Sequence, residues 1–249
     1  MTVLLTNDDG IDSEGLLAVK SALEPEHEVW VVAPDGERSG MSHYLTLHEP
    51  IRSKVVGDNC YSCSGSPVDC VVLGLLGGIP AKPDVVLSGI NKGPNLGTDI
   101  VYSGTAAAAR QAAFMGVPGI ALSVAGFKIP LYYEAAADFI SRNIVTLKKL
   151  WNPDHFININ FPNEEKPSTT VTITHPSRRI YHDKLVTFNA PNGAAYHFLD
   201  GSPVETKMET GSDWDVVSKG GISISPVYLH PVNHEEDSAY KKEEFTIKK

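Results

Sequence analysis

The stretch "LLTNDDG", residues 4–10, runs a strand-like apolar segment into two adjacent carboxylates and a glycine. Residues 2–6, "TVLLT", read as a buried strand. Asp8 and Asp9 repel each other where that strand should end. Neighbouring strand residues point to opposite faces, so the pair converges only if the chain turns there, and Gly10 permits that turn. Two roles fit. A hard divalent cation, Mg²⁺ or Mn²⁺, can sit between the carboxylates with oxygen ligands around it. Alternatively, one carboxylate caps the helix beginning near Ser13, and both are solvated.

Strands and helices alternate outward from this point. "SEGLLAVKSAL", 13–23, has helical apolar spacing with Ser13 placed to cap it. "EVWVVAP", 28–34, reads as a second strand. "SPVDCVVLGLLGG", 66–78, reads as a helix with Pro67 and Asp69 in its first turn. "DVVLSG", 84–89, reads as a third strand, followed by the alanine-rich helix "GTAAAARQAAFMG", 104–116, which Gly116 ends. "GIALSV", 119–124, "YYEAAADFISRNIVTLKKL", 132–150, and "FININFP", 156–162, add strand, helix and strand. This order predicts an α/β body over residues 1–165, Rossmann-like, with a doubly wound and mostly parallel sheet.

The pattern changes afterwards. "VTITHPSRRIYHDKLVTF", 171–188, and "GGISISPVYLHP", 220–231, look like extended hairpin strands with no crossover helices between them. Residues 166–249 are therefore expected to form a β-hairpin arm, a returning strand and an oligomerisation segment. The charged end "DSAYKKEEFTIKK", 237–249, is expected to be a surface helix or a tail exchanged between subunits.

Composition narrows the function. The 249 residues are 42% hydrophobic and 20% charged, ample for a packed core. The net charge is −9, and basic pairs such as Lys148–Lys149 and Lys241–Lys242 are short, which argues against a grip on a nucleic-acid polymer. No apolar run approaches the roughly 18 residues of a membrane span, and the first residues lack a signal-peptide pattern. A cytoplasmic protein without a membrane partner is expected. Cys60 and Cys63 have C-x-x-C spacing, but Cys70 stands apart and no second half completes a zinc site.

In open parallel sheets, ligands bind beyond the carboxyl ends of the strands. Three polar loops leave those ends: Asn7 to Gly10, "PDGERSGMSH" at 34–43, and "SGINKGPNLGTDIVYSGTA" at 88–106. Gly89, Gly93, Gly97 and Gly104 let the third loop approach a ligand closely. Ser103, Gly104 and Thr105 stand where a helix begins, and its free N–H groups and dipole favour a phosphate. The plainer reading is a turn-rich loop with Ser103 capping the helix. His43 lies in the second loop. The chain has no Walker ending, no G-x-G-x-x-G after the first strand and no G-x-S-x-G elbow.

The segments "TNDDGIDSEGL", "VVAPDGERSGMSHYLTL", "GSPVDCV", "LSGINKGPNLGTDIVYSGTAAAA" and "GSDWDVVSKGGISISP" resemble, in order, the signatures of the SurE family. That family comprises stationary-phase survival proteins that are metal-dependent 5′-nucleotidases. The resemblance implies hydrolysis of nucleoside 5′-monophosphates, and it also raises 3′-nucleotides and short polyphosphate as substrates. It implies one divalent cation per subunit on Asp8, Asp9, Ser39 and Asn91. Asp8 and Asp9 are the expected catalytic residues, since either could orient the attacking water and take its proton. Phosphate contacts fall on Asn95, Ser103, Gly104 and Thr105. A protruding hairpin arm and a swapped C-terminal tail in a homodimer or homotetramer are implied too. Two rivals are a haloacid-dehalogenase-like phosphatase and a nucleotide-binding regulatory module without catalysis. The first commonly uses D-x-D, a spacing that Asp8-Asp9 lacks.

Overall fold

The computed structural model describes residues 1–166, 169–201, 205–206, 209–230, 240 and 242. The expected tail at 237–249 lies almost wholly outside the described residues. The body begins β1 (Thr2–Thr6), α1 (Glu14–Leu23), β2 (Glu28–Pro34), β3 (Ser53–Gly57), β4 (Cys60–Cys63) and α2 (Pro67–Leu75). It continues β5 (Val85–Lys92), α3 (Gly104–Phe114), β6 (Gly119–Ala125), α4 (Glu134–Leu150) and β7 (His155–Pro162). Then follow β8 (Val171–Ile173), β9 (Arg179–Ile180), β10 (Lys184–Asn189), β11 (Ala195–Asp200), β12 (Glu205–Thr206), α5 (Asp213–Ser218) and β13 (Ile222–Tyr228).

Nine strands form one sheet in the order β3-β4-β2-β1-β5-β6-β7-β13-β8. The six from β4 to β7 are mutually parallel. The chain steps from β1 to β2 in one direction and from β5 to β6 and β7 in the other. Right-handed crossovers then put helices on opposite faces. The crevice between β1 and β5 is the switch point, where α/β sheets bind ligands. Both faces are covered, so β1, β2, β5, β6 and β7 are almost wholly buried. One apolar core joins Leu16, Val19 and Leu23 of α1 to Ile140, Ile144 and Leu147 of α4. Another core holds Cys70 and Val71 of α2 with Ala108 and Ala112 of α3.

The composition of α3 follows from its packing. A Cβ on Gly119 would lie 1.9 Å from the Ala109 carbonyl oxygen, so helix and strand nearly touch. Only small side chains fit such an approach, and Ala106 to Ala109 are buried. The α2 start behaves as expected. The Ser66 Oγ accepts from the Asp69 N–H at 3.1 Å, and Asp69 accepts from the Ser66 N–H at 2.8 Å.

Several local expectations are revised. Ser13 is the N-cap residue of α1 but makes no side-chain cap bond; its Oγ accepts from the Asn7 amide at 2.6 Å instead. The third strand runs on to Lys92, because a bulge after Ser88 restores pairing at Asn91 with Ser123. The β3–β4 hairpin was not expected: every residue of β3 is exposed, so it carries no alternation. A helix, α5, does stand between the two extended stretches, capped by Ser212 and only six residues long, too short to show a period. The returning strand β13 pairs antiparallel with β7 and carries β8 as the sheet edge. β10 and β11 form a separate hairpin whose residues are all exposed.

Candidate active site

The first rim loop is built around Asp8. Gly10 has φ +101° and packs against the Gly36 backbone, which brings the turns after β1 and β2 together. The Arg38 N–H donates to the Asp8 carbonyl at 2.7 Å, and the Ile11 N–H to the Pro34 carbonyl at 2.9 Å. Asp8 itself is buried. Its Oδ1 accepts from the Thr105 hydroxyl. A Cβ on Gly104 would lie 3.0 Å from Asp8 Oδ2, so the carboxylate occupies the start of α3. Burial raises the Asp8 carboxyl above its ordinary range, and hydrogen bonds from Thr105, Asp8 and Gly104 partly oppose the shift.

Asp9 is half-buried, and its Oδ2 accepts from the Lys92 N–H at 3.2 Å. Its carboxyl is pushed up to about 6, first by burial and then by the neighbouring Asp8 charge. The two carboxylates therefore form a repelling, partly desolvated pair.

Asn91 reaches the site through the β5 bulge. Gly89, at φ +127°, lies so close to β6 that a Cβ would sit 2.3 Å from the Leu122 carbonyl. The Asn91 amide donates to the Gly93 carbonyl at 2.9 Å, which turns its Oδ1 away from that bond. Asn95 is fixed from the sheet. Its N–H donates to Asn160 Oδ1 at 2.8 Å, its amide to Ser123 Oγ at 2.8 Å, and its carbonyl accepts from Asn158. Ser103 caps α3, accepting from the Ala106 N–H at 2.9 Å. Ser39, in the second loop, donates to Glu37 at 3.1 Å.

Asp8, Ser39, Asn91, Asn95 and Ser103 line one cavity of about 260 Å³. Asp9 lines a neighbouring cavity of about 350 Å³ with Glu14, Glu37 and Tyr133, and Lys92 lies on the wall of both. Gly104 and Thr105 stand behind Asp8 and are not among the cavity walls. His43 does not reach the cavity; its ring meets Gln111 at 2.9 Å and Phe114 of α3. Cys63 and Cys70 share a thiol contact in the α2 core, away from Cys60. The sequence reading missed Tyr102, Asp99 and Phe127 as walls. Phe127 follows β6, whose C-terminal end lies on the same rim, so the rule that selected the other three loops would also have found it.

The Thr105 hydroxyl is a test of this arrangement. Thr105→Val keeps shape and removes one donor from a buried carboxylate, so stability should fall by about 1.5–3 kcal/mol. Urea unfolding without added metal measures it; an unchanged midpoint would mean that the bond to Asp8 is absent in solution.

Among the described residues, no cluster of three or more His, Cys, Asp or Glu could hold a metal ion. A cation here would therefore draw on neutral oxygens beside the two carboxylates. The chemistry fits: Asp8, Asp9, the Ser39 hydroxyl and the Asn91 amide oxygen are all hard donors suited to Mg²⁺ or Mn²⁺.

The sequence matches the family model described as "Survival protein SurE" over residues 3–183. The protein named 5′-nucleotidase SurE of Geotalea daltonii is 38% identical, over 97% of this chain and 98% of its own length. That of Herpetosiphon aurantiacus is 40% identical over 94% of each. The crystal structure of the SurE protein from Aquifex aeolicus is 33% identical with a TM-score of 0.84, covering 98% of this chain and 100% of that one.

Proposed function

Because this chain belongs to the SurE family, we infer that it is a 5′-nucleotidase, hydrolysing nucleoside 5′-monophosphates to nucleoside and phosphate. The observation that carries the site assignment is the meeting of Asp8, Ser39, Asn91, Asn95 and Ser103 on one cavity at the sheet switch point. Asp8, Asp9, Ser39 and Asn91 would hold one divalent cation. When bound, it would offset the paired negative charges and the charge gathering on the phosphoryl group.

The chain's own groups supply the rest. Asn95 and Ser103 border the space for phosphate oxygens, with Gly104 and Thr105 behind them at the α3 start. Asp8 is immobilised by Thr105, so it acts as a fixed charge. Asp9 has one oxygen on the Lys92 N–H and its other oxygen free of that bond, and is the group that takes the proton of the attacking water. That water attacks phosphorus in line with the leaving 5′-oxygen; a new P–O bond forms, the P–O5′ bond breaks, and solvent protonates the leaving oxygen. The activity extends to 3′-nucleotides and short polyphosphate in this proposal, since a cavity of about 260 Å³ has room for a phosphate but would not enclose the rest of the substrate.

Phosphate release from 5′-AMP on adding Mn²⁺ or Mg²⁺, and its loss with chelator, tests the reading. No release under any metal would sink it. Solvent ¹⁸O in the phosphate of the first turnover separates direct attack from an aspartyl-phosphate route. Ser39→Ala and Asn91→Ala each remove a neutral donor, so half-saturating Mn²⁺ should rise about 10- to 100-fold while excess metal restores part of the rate. An unchanged metal titration for both variants would remove them from the ligand set.

We also propose a homodimer or homotetramer in the cytoplasm, with residues 1–165 as catalytic body and 166–249 as the assembly region. The β10–β11 hairpin exposes Leu185, Phe188, Phe198 and Leu199, which supports a contact role. Three free cysteines suit a reducing compartment. Among the described residues, no helix is long and apolar enough to cross a membrane. Light scattering of the intact chain measures the assembly.

A further inference from the structure

The cavity that holds Asp8 and Asn91 has two aromatic walls, Tyr102 and Phe127. Both rings are exposed, Phe127 by 73% and Tyr102 by 58%. Isolated exposed apolar side chains are ordinary, but two aromatic rings on one polar cavity are a local concentration.

Phe127 is also held in place. The Asn163 side chain, just past β7, ties down its loop: the Tyr132 N–H donates to Asn163 Oδ1 at 3.0 Å, and the Asn163 amide donates to the Pro130 carbonyl at 3.1 Å. The ring itself lies over Gly93. A Cβ there would meet Phe127 Cε1 at 2.5 Å, so the ring is seated on the backbone of the loop that follows Asn91. Tyr102 is supported as well. Its ring meets Tyr181 edge-on at 6.1 Å, and the Tyr181 hydroxyl donates to Asp99.

The cavity volume indicates what these rings face. About 260 Å³ is below the roughly 300–1,000 Å³ of pockets that enclose a small ligand. It suits a phosphate and part of a sugar, so the rest of a nucleotide must leave across the rim. Phe127 offers an open aromatic face on that rim, and every nucleobase has a complementary π-face.

We propose that Phe127 is a specificity-determining residue, the platform on which the nucleobase of the substrate stacks, with Tyr102 as the second aromatic wall. The proposal rests on the nucleotidase reading of the same site. It makes the base a source of binding energy remote from the reacting phosphorus, so its loss appears in KM more than in kcat.

The test compares 5′-AMP with ribose 5-phosphate, which has no base, in wild type, Phe127→Ala and Phe127→Trp, all with Mn²⁺ present. Phe127→Ala should lower kcat/KM for 5′-AMP about 5- to 100-fold, the range expected for losing one base–aromatic stack. Ribose 5-phosphate turnover should stay near wild type, and Phe127→Trp should retain the preference for 5′-AMP. Equal loss on both substrates, or loss on neither, overturns the proposal. Calorimetric titration with adenosine provides a readout independent of turnover. If wild type releases phosphate from no monophosphate, the nucleotidase reading fails, and adenosine binding then decides the platform. Binding that disappears in Phe127→Ala supports it, and no binding to wild type overturns it.

Discussion

Asp8→Asn should lower kcat/KM for a nucleoside 5′-monophosphate by roughly a thousandfold, equivalent to about 4 kcal/mol of barrier. Asp8 cannot be replaced in role by a neighbour, because it is buried on the α3 start with its Oδ1 engaged by Thr105. The amide keeps the size and can still accept that bond, but it removes the charge that would hold a cation. Stability should move the other way. Burial disfavours an ionised Asp8 in the metal-free protein, and the Asp8 charge in turn pushes up the Asp9 carboxyl, so the variant should be as stable as wild type or more so. The gain is about 1 kcal/mol, the order expected for relieving a like-charge contact between the buried Asp8 and the half-buried Asp9. Phosphate release at saturating Mn²⁺ and calorimetric unfolding with chelator measure the two effects. Full activity with intact folding would remove Asp8 from the mechanism.

Gly89→Ala should be strongly destabilising. At φ +127° any L side chain is strained, and the added Cβ would lie 2.3 Å from the Leu122 carbonyl oxygen of β6. The strands must part or the bulge must unwind, and either moves Asn91 away from Asp8. A backbone-strain and overpacking loss of about 3–5 kcal/mol is expected. For a chain of this size that corresponds to a Tm lower by roughly 6–20 °C. The protein that remains folded at low temperature should bind Mn²⁺ weakly, because the Asn91 amide proposed as a metal donor would be displaced. Thermal unfolding and metal titration together test this. A wild-type Tm would mean that the bulge relaxes freely, and wild-type metal affinity would remove Asn91 from the ligand set.

The body of the fold was legible because its signals are local. Apolar runs such as Val3 to Leu5 and Val29 to Ala33 are buried on both faces, as parallel strands must be, and α2 carries its own capping box at Ser66 and Asp69. Loops at the carboxyl ends of successive parallel strands share a rim by topology alone. That is why Asp8, Ser39 and Asn91 could be brought together on paper. Family signatures chose Ser39 and Asn91 from their loops, which spacing could not do. Segments with weak local signals were missed: β3 is exposed throughout, and α5 spans less than two turns.

The sequence by itself determined an α/β body, the mostly parallel sense of its sheet and the two-carboxylate rim, because period, capping and charge are written in adjacent residues. Tertiary structure alone decided which groups each candidate meets. It set the Asp8 carboxylate against Thr105, 97 residues away, and the Asn95 N–H against Asn160, 65 residues away. It placed β13 antiparallel beside β7 and seated Phe127 on Gly93. Such pairings depend on how closely distant backbones approach, and no local pattern encodes that distance.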